Sequence, residues 1–189
     1  MKRIHYNSPV VLTFFLVSLA ALLLGQITNG WTTRNLFCVY RSSLSPLSVF
    51  RLFGHVLGHA DFAHFAGNMV LFLVIGPPME EKYGSRLLLC AIALTALISG
   101  LFQCLLFPRT ALLGASGILF MLILLSSLAG MKQGSIPLTL ILVALLYLGQ
   151  EVVSGLTVRD NISNLTHIIG GLCGTGFGFW AGTKKHEPL

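Results

Sequence analysis

Charge is missing from this sequence in long blocks. Stretches 10–27, 62–79, 87–108, 110–131, 133–150 and 161–183 contain no Lys, Arg, Asp or Glu. Each is close to the ~20 residues that a helix needs to cross a hydrocarbon layer of ~30 Å. In hydrocarbon an unsatisfied backbone amide is costly, so an embedded segment must be a helix or part of a closed barrel, and these stretches are about twice the length of barrel strands. The pattern predicts an all-α polytopic membrane protein, a six-transmembrane-helix bundle with spans near 10–27, 62–79, 87–108, 112–131, 134–150 and 165–183. Composition agrees. Of 189 residues 54% are hydrophobic and 10% charged, and the mean hydropathy of +0.83 is far above that of a water-soluble domain.

Six spans place both termini on one side. Lys2, Arg3, Lys82, Arg86, Lys132, Lys184 and Lys185 fall on that side, against Arg34, Arg41, Arg51, Arg109 and Arg159 on the other. The positive-inside rule makes the first group cytoplasmic. Membrane topology thus accounts for the net charge of +6, and no nucleic-acid partner is expected. Lys2 and Arg3 before an apolar run also suit a signal peptide, but no small-x-small cleavage site follows Leu24, so the first span is expected to stay. With no linker or low-complexity tract, residues 1–189 read as one domain without a soluble appendage. Cys38, Cys90, Cys104 and Cys173 form no paired motif, and four free thiols are expected. Within the one long connection, residues 46–54 have amphipathic spacing that predicts a helix lying in the membrane interface. Pro77 and Pro78 are expected to stop the second span, with Glu80 pairing with Lys82 or capping neighbouring amides.

Polar groups inside a membrane point to function. His64 and Asn68 are four residues apart and share a helix face. Ser116 stands in Gly114-Ala115-Ser116-Gly117 at the head of the fourth span, and His167 in the sixth, one turn before the small-residue stripe Gly170, Gly174 and Gly178. Glycines at that spacing let membrane helices approach closely. Spans two, four and six run in the same direction, and Asn68, Ser116 and His167 each follow an outer charge (Asp61, Arg109 and Asp160) by seven residues. If each stretch is helical from its charge onward, all three lie ~10 Å below the outer boundary at ~1.5 Å per residue. A shared site requires that geometry.

A serine hydroxyl attacks a carbonyl once a neighbouring base accepts its proton, and imidazole has the right basicity. Ser116 as nucleophile and His167 as base form a dyad, since no carboxylate is expected near His167: Asp61, Glu151 and Asp160 all read as lying near loops. Free amides at a helix start suit a developing oxyanion, and His64 and Asn68 can add side-chain donors. Phe120, four residues after Ser116, can stack on the imidazole. Taken singly these residues are less telling: Ser116 suits helix packing, Phe120 ordinary core packing, and His167 a satisfied core histidine.

Together these residues resemble the rhomboid family of intramembrane serine proteases, and most closely its compact bacterial six-helix members. His59, His64 and Asn68 match the family's second-helix pattern, Gly114 to Gly117 its Gly-x-Ser-Gly nucleophile, and His167, Gly170 and Gly174 its last-helix histidine and glycines. The likeness runs over nearly the whole chain. It implies a serine endopeptidase in which Ser116 is the nucleophile, His167 the base, and His64, Asn68 and the Ser116 amide the oxyanion hole. No cofactor or metal is implied. It further implies transmembrane protein substrates cut near the outer membrane face and entering between helices two and five. The implied location is the bacterial cytoplasmic (inner) membrane, with cytoplasmic termini and a site open to the periplasmic or outer side, roofed by loops that include 152–165. Two departures stand out: Phe50-Arg51 replaces the common Trp-Arg, and Phe120 replaces a common Tyr. The soluble domain of some relatives is not expected here.

A reading from another class is a haem or metal carrier, with axial ligands drawn from His55, His59, His64 and His167. It explains the histidines and leaves Ser116 without a role.

Overall fold

The computed structural model describes residues 5–129, 135–143, 145–146 and 161–184, with side chains of the last segment from 165 to 181. The described residues are helical apart from loops and one isolated backbone bridge. In chain order the helices are α1 (Pro9–Ile27), α2 (Trp31–Leu36), α3 (Pro46–Gly54), α4 (Phe62–Tyr83), α5 (Ser85–Leu106), α6 (Ser116–Ser127), α7 (Leu138–Val143) and α8 (Asn161–Lys184), with a short 3-10 turn at His55–Leu57 between α3 and α4. Helices α1, α4 and α5 are long and apolar enough to cross a membrane. Lys2, Arg3, Lys132, Arg159 and Lys185, on which the topology rests, lie outside the described residues, as do 134, 144 and 147–150 of the fifth expected span, which includes α7.

Helix α6 sits at the centre. Every residue from Gly117 to Leu125 is buried, as expected of a helix apolar on all sides. At 12 residues it is ~18 Å long, well short of a ~30 Å hydrocarbon layer. The rest of the expected fourth span before it, from 112 to 115, is a loop. Ser116 therefore begins a helix inside the bundle. Ser116 does not lie two helical turns below Arg109, because loop separates the two; Asn68 does lie on α4, which starts at Phe62.

The helix ends explain the arrangement around α6. Asp61 accepts a hydrogen bond from the His64 amide at 2.8 Å and starts α4. That helix does not stop at Pro77 and Pro78; it continues to Tyr83 and ends at Gly84, whose φ of 81° breaks the helical path. Beyond the prolines the last turn is anchored by Glu80, which is buried and accepts from the Val10 and Val11 amides at 2.9 and 3.0 Å and from the Ser85 hydroxyl at 2.7 Å. One carboxylate thus caps α1, whose N-cap Ser8 gives no side-chain bond. Ser45 and Ser48 form a capping box at the start of α3. All four cysteines are free.

Candidate active site

The segment that delivers Ser116 is pinned on three sides. The Gln103 amide donates to Thr110 Oγ1 at 2.9 Å and to the Thr110 carbonyl at 3.2 Å. Val39 and Leu112 exchange two backbone bonds of 2.9 Å, and the Gly114 amide donates to the His55 carbonyl at 2.9 Å. Gly114 has a φ of 119°, where side chains are strained, and a Cβ there would stand 2.9 Å from His64 Nε2 and 3.9 Å from Asn68 Nδ2. Only glycine meets both demands. The same contacts bring His64 and Asn68 to the mouth of α6, two residues before Ser116.

Both side chains present donors there. The Ala60 amide approaches His64 Nδ1 at 3.5 Å, which assigns the ring proton to Nε2, the atom facing Gly114. Asn68 is buried, and its Nδ2 has no hydrogen-bond partner. A buried amide without an acceptor is costly and suits a site that receives one from a substrate. Ala115 supplies no side-chain cap to α6, so the first-turn amides, Ser116 included, are available at the same place.

His167 reaches α6 from α8. Its ring stacks on Phe120 with centroids 4.2 Å apart and planes 6° from parallel. Phe120 lies one turn below Ser116 on the same face. Thr166 Cγ2 lies 3.0 Å from where a Gly117 Cβ would be. This close crossing depends on glycine, since a Cβ on Gly170 would strike the Gly117 carbonyl and one on Gly174 the Met121 carbonyl. The two helices run parallel in that register. The structure therefore gathers Ser116, Gly117, Phe120, His167, Gly170 and Gly174 along one seam, with Gly114, His64 and Asn68 above it. His59 stands behind His64, its ring edge-on at 5.1 Å and its Nδ1 at 3.2 Å from the Leu57 carbonyl. Of the carboxylates weighed against a triad, Asp61 is engaged with the His64 amide, while Glu151 and Asp160 lie outside the described residues. So does the expected roofing loop over 152–160; residues 161–165 already belong to α8.

Three features lie beyond the sequence reading. His55, in the sequence a candidate metal ligand only, is 1% exposed, its Nδ1 lies 3.2 Å from the Arg51 carbonyl, and its own carbonyl fixes Gly114. Arg51 is buried too, with Nε donating to the Asn35 carbonyl at 2.7 Å and the guanidinium 4.4 Å from the Tyr40 ring centre. Behind the site, Thr95, Ser99 and Gln103 are all buried on α5. Their four-residue spacing within an apolar span was a legible signal. Burial lowers the pKa of both His55 and His59 to about 4, assisted for His59 by the neighbouring His64, so both are neutral near pH 7. As for the metal reading, no three His, Cys, Asp or Glu side chains converge as a ligand set among the described residues.

Residues 46–184 match the family model described as the Rhomboid domain. Over 188 aligned residues the chain is 28% identical to the rhomboid protease GlpG of Pectobacterium atrosepticum, covering 95% of this chain and 65% of that protein. It is 26% identical to proteins of the same name from Yersinia enterocolitica and Yersinia pestis, covering 91% of this chain and 62% of each of them. The chain thus spans a little under two thirds of the length of these relatives.

Proposed function

The chain belongs to the rhomboid family, and on that premise we propose that it is an intramembrane serine endopeptidase cleaving membrane proteins in or near their transmembrane segments. The observation that carries this reading is the seam between α6 and α8: the His167 imidazole lies flat on Phe120, one turn below Ser116, while His64 and Asn68 meet the loop at the head of the same helix.

In the proposed reaction Ser116 Oγ attacks the scissile carbonyl as His167 takes the hydroxyl proton. The negative oxygen of the tetrahedral intermediate is held by the Ser116 amide, Asn68 Nδ2 and His64 Nε2. When it collapses the peptide C–N bond breaks, and His167 passes its proton to the leaving amine. Water, deprotonated by the same imidazole, then releases the acyl group from Ser116. Phe120 keeps the ring flat against α6, the role a carboxylate fills in a triad. The enzyme resides in the bacterial inner membrane with both termini cytoplasmic, and its site opens to the outer side.

The test is cleavage of a model transmembrane substrate by reconstituted protein, together with labelling by a mechanism-based serine probe. Ser116→Ala and His167→Ala are expected to lose turnover, and Ser116→Ala to lose labelling as well. Cleavage at the wild-type rate by folded Ser116→Ala would end the assignment.

A further inference from the structure

A cavity with a volume of about 570 Å³ lies beside the loop that delivers Ser116, lined by Trp31, Arg34, Asn35, Cys38, Tyr40 and Ala111. It is built on the backbone bridge that pins this loop, since Cys38 and Tyr40 flank Val39 and Ala111 precedes Leu112. Two guanidinium groups serve it. Arg34 is exposed and lines the cavity; its Nε and Nη2 donate to the Gly30 and Asn29 carbonyls at 3.3 and 3.0 Å, and its Nη1 has no acceptor among the described residues. Arg51 is 7% exposed and touches two of the lining residues, with Nε on the Asn35 carbonyl at 2.7 Å and the guanidinium 4.4 Å from the Tyr40 ring centre. Among the described residues no carboxylate pairs with Arg51, and its two terminal amino groups meet no acceptor. Burial raises the pKa of the Cys38 thiol, and Arg51 and Arg34 pull it back, so both cations act on the cavity wall.

A buried cation without a counter-charge is costly, and the surroundings supply none. At this end of the bundle Arg34, Arg41, Arg51 and Arg109 stand against Asp61 alone among the described residues, and Asp61 is engaged with the His64 amide. A cleft of one sign draws an anion, and guanidinium groups hold carboxylates by paired, charge-assisted hydrogen bonds. The position of the cavity says where that anion comes from. Ala111 precedes Ser116 by five residues, so this wall lies within ~18 Å of the nucleophile at ~3.6 Å per residue. A polypeptide with its scissile bond at Ser116 can reach that far with a nearby side chain, and a membrane-spanning substrate carries its charged residues at the ends of its span.

We propose that this cavity binds an Asp or Glu side chain that a substrate protein carries within about six residues of the bond cut at Ser116. The inference rests on the endopeptidase reading of the site and adds a specificity determinant to it, Arg34, with Arg51 as the buried charge behind it.

A model transmembrane substrate would carry Glu, or Gln in its place, at each position up to about six residues on either side of the cut, and would be presented to reconstituted protein. At one or two adjoining positions Glu should raise kcat/KM about 5-fold over Gln, through KM, and the gain should shrink as salt rises. Arg34→Gln should remove the gain, and Arg34→Glu should turn the preference to Lys at that position. Arg41→Gln and Arg109→Gln, which alter the field without touching the cavity wall, should keep most of it. Uncut substrate with a diazirine beside the Glu should cross-link to residues 31–40 of Ser116→Ala. Equal kcat/KM for Glu and Gln at every position, a gain that survives Arg34→Glu, equal loss of the gain in all the Gln variants, cross-links that avoid residues 31–40, or the same Arg34-dependent gain produced by adding phosphatidylglycerol to a Gln substrate would overturn the proposal. Failure of wild-type protein to label at Ser116 with the serine probe is a separate result that removes the endopeptidase reading, and the cross-link reports on the cavity in either case.

Discussion

At the scale of single residues, the site rests on groups whose cost is visible in the fold. Asn68 Nδ2 is buried without an acceptor, and Asn68→Ala is expected to slow substrate turnover by about 10-fold to 1,000-fold, the range for losing one oxyanion donor, with the melting temperature little changed. Gly114→Ala should do more, because it strains a φ of 119° and drives a methyl group into the His64 ring. Its turnover should fall together with its stability, measured as cleavage rate and thermal unfolding in detergent. His55 carries a pH signature. Its pKa of about 4 in the fold lies below the ordinary 6.5, so the unfolded chain takes up the proton first as pH falls. The stability that His55 contributes by staying neutral is complete above about pH 6.5 and drains away towards pH 4, by roughly 3 kcal/mol if the whole shift is expressed. Unfolding midpoints measured between pH 7.5 and 4.5 should decline, and His55→Gln should flatten that decline. At Phe120 the stacking on His167 uses the face of the ring, which phenylalanine and tyrosine share.

Among the elements, two joints hold the bundle in shape. One is the crossing of α6 and α8, where backbones touch because Gly170 and Gly174 have no side chains. Gly174→Val has nowhere to put its methyl groups except against the Met121 carbonyl, so the helices must part. The expected result is a loss of several kcal/mol, seen as a lower unfolding midpoint and as loss of probe labelling at Ser116. The other joint is Glu80, which caps α1 from α4. Removing the carboxylate leaves the Val10 and Val11 amides and the Ser85 hydroxyl without their acceptor. Glu80→Ala should lower stability by about 2–5 kcal/mol, and Glu80→Gln, which keeps one acceptor oxygen, by less. The sequence places Glu80 at a helix stop with capping among its roles, but nothing local names a partner 70 positions away. The prolines misled for a related reason: their local effect is to break a helix, and here the turn beyond them is held by a distant contact.

For the whole molecule, the parallel course of α4, α6 and α8 puts their first turns at one end of the bundle, and the proposed topology makes that end the outer one. In spheroplasts, a single cysteine at Arg109 in a chain with its own cysteines replaced should react with an impermeant maleimide from outside, and one at Arg86 only after the cytoplasmic side is opened. The reverse pattern would invert the orientation. The place of Ser116 within the bundle is also a property of the whole. It comes from a short central helix whose loop is held in place by Gln103, Val39 and His55 from three separate parts of the chain.

What the sequence determined alone was the class of fold and the identity of the polar candidates. Hydrocarbon penalises charge and open backbone so heavily that uncharged stretches of span length can be read as helices directly, and any Ser, His or Asn within them stands out. Glycine spacing likewise exposed the stripe on α8, though not which helix it would meet. The tertiary structure decided which polar residues face one another, because contacts such as Gly114 with His64, Phe120 with His167, and Glu80 with α1 join residues far apart in the chain. Their energies depend on distances that no local pattern encodes. It also decided that the fourth span opens as a loop, since the hydrogen bonds that replace the missing helical turn come from three other segments.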